Sequence, residues 1–78
     1  VIATGLRMLD VDPCREDAHR LLMSCYASQG RTYQALRQYD LCRRMLRATL
    51  ETAPTDETTR LYHAIREGSA EQAPAVRD

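Results

Sequence analysis

Ala18-His19-Arg20-Leu21-Leu22-Met23-Ser24-Cys25-Tyr26-Ala27-Ser28-Gln29-Gly30-Arg31-Thr32-Tyr33-Gln34-Ala35-Leu36-Arg37-Gln38-Tyr39-Asp40-Leu41-Cys42 carries two helical stripes divided by one glycine. Ala18, Leu21, Leu22, Cys25 and Tyr26 recur at the spacing of one helix face, and Ala35, Tyr39 and Cys42 do so again, continued by Leu46 and Leu50. Gly30 is the residue that closes a helix most cheaply in the left-handed conformation. Only about two residues remain to join the helices, and so short a link forces an antiparallel hairpin. Leu36, Leu41 and Met45 widen the second stripe on both sides. That helix, over about residues 32–51, is therefore expected to pack on more than one neighbour.

Working outward, Ile2, Leu6 and Leu9 repeat at helical spacing up to Val11. Asp12-Pro13 ends this first helix, because a residue before proline is pushed out of the helical region. The same pair is read as the start of the next helix, with Asp12 as N-cap and Pro13 in the first helical position. Glu16 and Asp17 then meet the positive helix end. Downstream, residues 51–54 form a break. Thr55 is the expected N-cap of a fourth helix, with Asp56 and Glu57 in its first turn and Thr58, Leu61, Tyr62 and Ile65 as its buried stripe. No segment alternates as a strand would. The expected fold is all-α: antiparallel helical hairpins of about four helices over residues 1–66. Residues 67–78 carry no pattern and are expected to form a disordered tail.

With 78 residues there is room for one small domain with a marginal core. Eleven arginines balance eleven acids and lysine is absent, so bulk charge gives no pull toward nucleic acid or membrane. No stretch approaches the roughly 18 apolar residues of a membrane span. Residues 1–9 lack the charged start and cleavage site of a signal peptide. The chain starts without Met inside a helical pattern, which reads as a fragment or a partly ordered chain. Three irregularly spaced cysteines, Cys14, Cys25 and Cys42, do not make a disulfide framework, and a reducing cytoplasm is the expected location.

Candidate chemistry is sparse. Cys14, His19 and Cys25 are the nearest approach to a metal set. Cys14 and His19 point to different helix sides, and no tight Cys-x-x-Cys or His pair accompanies them, so no metal or cofactor is expected. Cys25 and Cys42 lie on apolar stripes, where thiols are usually inert. Glu16 and Asp17 read as helix N-terminal charges rather than an acid–base pair. There is no glycine-rich phosphate loop and no strained Ser nucleophile, so no enzyme activity is expected. His63 is placed on the solvent side of the fourth helix. Arg37, Arg43, Arg44 and Arg47 share the face opposite the stripe of the third helix, together with Tyr33 and Asp40. This face suits an acidic protein partner or DNA phosphates. The plain alternative is a solvated face with Asp40 paired to Arg44 one turn on.

Six positions carry a repeat signature. Leu22, Tyr26, Gly30, Ala35 and Tyr39 stand where the roughly 34-residue tetratricopeptide pattern wants Leu, Tyr, a turn glycine, Ala and Phe, and Cys42 stands where it prefers a small residue. His19 replaces the usual Trp, Met23 the usual Gly or Ala, and no proline follows at Arg47. Within that class the chain resembles the bacterial transcriptional activator domain of antibiotic-regulatory-protein-type regulators. The resemblance rests on Pro13-Cys14-Arg15-Glu16, Leu22-Met23, Gly30-Arg31, Ala35-Leu36 with Tyr39, Met45-Leu46, Leu50 and Pro54, and covers roughly residues 1–66 as the C-terminal part of that module. Glu51 departs from the glycine usual after Leu50.

The resemblance implies a non-catalytic interaction module of a regulator. Its partners would be a second copy, RNA polymerase or an attached winged-helix domain, with DNA reached through the parent protein and no membrane involved. A generic repeat scaffold of a signalling or assembly protein is the alternative. Stacked hairpins expose apolar ends. Ile2, Leu6 and Leu9 on one side, and Leu61, Tyr62 and Ile65 on the other, are therefore expected to need cover from upstream helices, a second copy or a partner. Ala35 is read as the point of close approach between the hairpin helices. Ala35→Leu should destabilise the chain by about 1–3 kcal/mol in thermal or urea unfolding; an unchanged midpoint would show the hairpin register to be wrong.

Overall fold

Gly30 takes φ +77, yet a Cβ built on it meets nothing within 4 Å, so the position needs glycine for its backbone and not for space. Around it the Gly30 N–H donates to the Ala27 carbonyl at 3.0 Å and the Arg31 N–H to the Tyr26 carbonyl at 2.8 Å. This pair of bonds closes a helix in the Schellman manner. The computed structural model describes residues 1–68 as four helices with no strand among them: α1 (Ile2–Val11), α2 (Glu16–Ser28), α3 (Thr32–Leu50) and α4 (Asp56–Arg66). The fold is all-α, built of antiparallel helical hairpins in the tetratricopeptide manner. From residue 69 onward the expected tail lies outside the described residues.

Helix α2 is central. It packs against α1, α3 and α4, whereas α1 packs against α2 alone among the described helices. With three neighbours α2 buries a wide arc, comprising Ala18, His19, Leu22, Met23 and Ala27. The expected stripe is corrected accordingly: Leu21, Cys25 and Tyr26 are only half-buried, while His19 and Met23 are enclosed. Met23, Ala27, Ala35 and Ile65 form the core, with Tyr26, Leu36, Tyr39, Leu61 and Tyr62 packed on it. Tyr62 stacks on Tyr39 with ring centroids 4.1 Å apart. Leu61, Tyr62 and Ile65 thus find cover inside the chain, contrary to the expectation of an outside partner for them. On α1, Ile2 and Leu9 are half-buried and Leu6 stays exposed, as does Val11 at the helix end.

Three local expectations also change. Helix α2 starts at Glu16 with Arg15 as N-cap, not at Asp12-Pro13. The Asp12 carboxylate accepts from the Cys14 N–H at 3.0 Å, and the Asp12 carbonyl accepts from the Arg15 N–H at 3.1 Å. Asp12 and Pro13 are thereby spent on a turn, with Pro13 in its second place, where a fixed φ is favoured. On α3, Leu41 and Leu50 are exposed rather than part of the buried stripe. Leu41 lies about 120° around the helix from Ala35, given 3.6 residues per turn. Leu50 is the last residue of α3, beyond the buried Leu46. Glu51 then reverses the chain in the left-handed region at φ 53, without the glycine such a turn favours.

Gly5 is the converse of Gly30. It is buried in α1, and a Cβ there would lie 2.9 Å from both Cγ and Cδ2 of Leu22, itself fully buried. Alanine in a helix interior is ordinarily better than glycine by about 1 kcal/mol. At Gly5 the clash outweighs that gain, since overpacking costs about 1–3 kcal/mol. Gly5→Ala should therefore lower the melting temperature, whereas Glu51→Gly should raise it by relieving about 1–2 kcal/mol of left-handed strain, less the entropy of glycine. Circular-dichroism melts of the two variants would read both signs; a stabilised Gly5→Ala would refute the α1–α2 contact.

Candidate functional site

The outward face of α3 carries a cluster of four arginines. Arg37, Arg43, Arg44 and Arg47 are all exposed. Arg37 and Arg44 are almost in line, about 20° apart around the helix, while Arg43 lies to one flank. Asp40 sits between them, accepting a hydrogen bond from Arg43 and lying 2.9 Å from Nε of Arg44. The bond from Arg43 holds the Asp40 carboxyl below the ordinary carboxylate value, helped by the charges of Arg44, Arg43 and Arg37. Arg37 and Arg47 make no ion pair among the described residues. Two open hollows adjoin on this face: one of about 380 Å³ lined by Tyr26, Tyr33, Gln34, Arg37, Gln38 and Leu41, and one of about 260 Å³ lined by Tyr33, Arg37, Asp40, Leu41 and Arg44.

The residues of the repeat signature fall on two seams. Leu22 meets Gly5 where α1 crosses α2. Ala35 lies in the core shared by α2, α3 and α4, and Tyr39 stacks on α4. Cys42 is fully buried, Tyr26 lines both the core and the first hollow, and Gly30 turns the hairpin.

Beneath this surface lies a buried polar pair that helical spacing does not reveal. His19 is 1% exposed and Gln38 8%. The His19 Nε2–H donates to the Pro13 carbonyl at 2.9 Å, and Nδ1 accepts from the Gln38 amide at 2.8 Å. Both ring nitrogens are thus satisfied, as burial demands. A second unforeseen contact fixes α4. The Glu16 carboxylate accepts the backbone N–H of Thr55 at 2.9 Å, and Arg20, one turn on, donates to Oγ1 of the buried Thr58 at 2.9 Å and lies 3.6 Å from Glu57. Glu16 and Thr55 are 39 residues apart, so no local pattern signals the bond. The only trace in the sequence is that Glu16 and Arg20 share a face.

A family model of the bacterial transcriptional activator domain matches residues 1–66. The chain belongs to that family. No curated protein and no solved structure matches it. In this activator domain no helix among the described residues is long and apolar enough to cross a membrane. No group of three or more His, Cys, Asp and Glu is placed to hold a metal among them. Cys14 and Cys25 are half-buried, with Cys14 in the turn before α2 and its Sγ 3.5 Å from the Met45 carbonyl.

Burial sets Cys42 of the activator domain apart. Desolvation, helped by the nearby Glu16 charge, raises its thiol from an ordinary 9.0 to about 12. The folded chain therefore keeps the neutral thiol, and the stability this contributes is present below 9.0 and lost as pH rises toward 12. Iodoacetamide at neutral pH should modify Cys14 and Cys25 well before Cys42, with the difference erased in urea. Peptide mass spectrometry would read the order; equal rates in the folded chain would contradict the burial of Cys42.

Proposed function

We propose that this activator domain is a non-catalytic protein-interaction module of a bacterial transcriptional regulator, working in the cytoplasm. It helps the regulator to dimerise, to contact the transcription machinery or to hold an attached winged-helix domain. DNA is reached through that parent protein and not through this segment. The family match over residues 1–66 carries the reading. The packing supports it. Among the described helices α1 rests on α2 alone, and it leaves Leu6 and Val11 exposed, the condition of a repeat edge that takes a neighbour. In this reading Leu22, Tyr26, Gly30, Ala35, Tyr39 and Cys42 hold the hairpins together, and Arg37, Arg43, Arg44 and Arg47 form an interaction face.

Two side chains of catalytic type are committed to the fold. His19 has both ring nitrogens engaged and Cys42 is shut away from solvent. A nucleophile and its base need each other's reach and an open path to substrate. Fluorescence anisotropy of DNA from the gene's own promoter region tests the proposal. Titrated with this chain the DNA should stay unbound, whereas the regulator containing it should bind. Comparable, salt-sensitive binding by this chain alone would make α3 a DNA site and remove the proposal.

A further inference from the structure

Tyr33, Arg37, Leu41 and Arg44 stand in one row on α3 at the spacing of a helix face, a row about 16 Å long at 1.5 Å per residue. Apolar and cationic groups alternate along it, and all four residues line the adjoining hollows. Tyr33 is 72% exposed and Leu41 43%, so apolar surface stands directly beside the charges of this row. Among the described residues four arginines on this face stand against one carboxylate, Asp40, which already serves Arg43 and Arg44. Arg37 and Arg47 therefore keep their charge available.

Resting on the interaction-module reading, we infer that this row docks an acidic peptide segment of another protein, one that sets Leu or Phe side chains between its carboxylates. The apolar side chains fill the hollows over Tyr33 and Leu41, in the manner of a helix laid in a groove. The carboxylates meet Arg37, unpaired among the described residues, and Arg44, whose contact with Asp40 runs through Nε; planar guanidinium groups suit paired oxygen acceptors. A second copy is a poor occupant, because a two-fold contact through this row would set arginines against arginines. Nucleic acid fits less well too. Asp40 repels phosphates from the middle of the face, and the exposed apolar groups between the arginines have no counterpart on a phosphate backbone.

The test is anisotropy of a short fluorescein-labelled amphipathic peptide of Glu and Leu titrated with the full chain. A peptide of Lys and Leu in the same pattern and a duplex DNA run beside it. Saturable binding of the Glu–Leu peptide, weaker as salt rises, is the expected result. Arg37→Gln combined with Arg44→Gln should weaken it about tenfold and flatten the salt dependence. Leu41→Ser should weaken it comparably while leaving the salt slope in place. Both sets of side chains are exposed, and circular dichroism verifies that the variants fold. The docking row is overturned by absent binding, by equal binding of the Lys–Leu peptide, by tighter binding of DNA, or by affinity indifferent to both variants. If that happens while the promoter titration still separates this chain from the regulator, the row alone falls and the module reading stands. Promoter binding by this chain itself removes the module reading instead.

Discussion

Leu22 leaves no room for a side chain at Gly5, and on another side of α2 the buried Ala35 brings α3 in close. These approaches set the distances at which everything else packs. Because α2 has α1, α3 and α4 around it, its buried arc is broad enough to include a histidine and a methionine as well as leucine and alanine. Small residues stand at the crossing points and large ones beside them, the alternation by which a close-packed core fills its space. The Tyr39–Tyr62 stack then completes the seam to α4.

Enclosing α2 has a polar cost, and the chain meets it with specific partners. His19 is deep enough that an unsatisfied ring nitrogen would lose its hydration with nothing in return, a penalty of about 1–3 kcal/mol. Pro13 and Gln38 supply the two partners, and in doing so tie the turn before α2 to the middle of α3. Glu16 acts likewise toward α4. Its carboxylate occupies the backbone N–H of Thr55, the residue that opens that helix, and so stands at the helix end where negative charge is favoured. Arg20 adds a bond to the buried Thr58. The hairpin and its following helix are therefore oriented by directional bonds as well as by packing.

What the packing leaves outside is the far side of α3. There the arginines, Tyr33 and Leu41 have none of the described helices over them. The proposed role as an interaction module gives that face a context in which protein contacts matter, and the alternation of charge and apolar surface gives it a chemistry. The proposed docking row and the scaffold are thus two faces of one helix: Ala35, Cys42 and Leu46 hold it, and Arg37, Leu41 and Arg44 lie on the open side.

Periodicity and turn chemistry made the helices, the hairpin at Gly30 and the family legible from the residues alone, because these depend on neighbours a few positions apart. The Asp40–Arg44 pairing was legible for the same reason, being one helical turn apart. The start of α2 was not, since Asp12 and Pro13 suit a turn as well as a helix cap, and only the bonds to Cys14 and Arg15 separate the two. Which arc of α2 is buried, why Gly5 must lack a side chain, how His19 finds Gln38 and how Glu16 reaches Thr55 were all decided by tertiary structure. Each joins residues far apart in the chain, and no periodic signal encodes which surfaces meet when one helix must serve three neighbours.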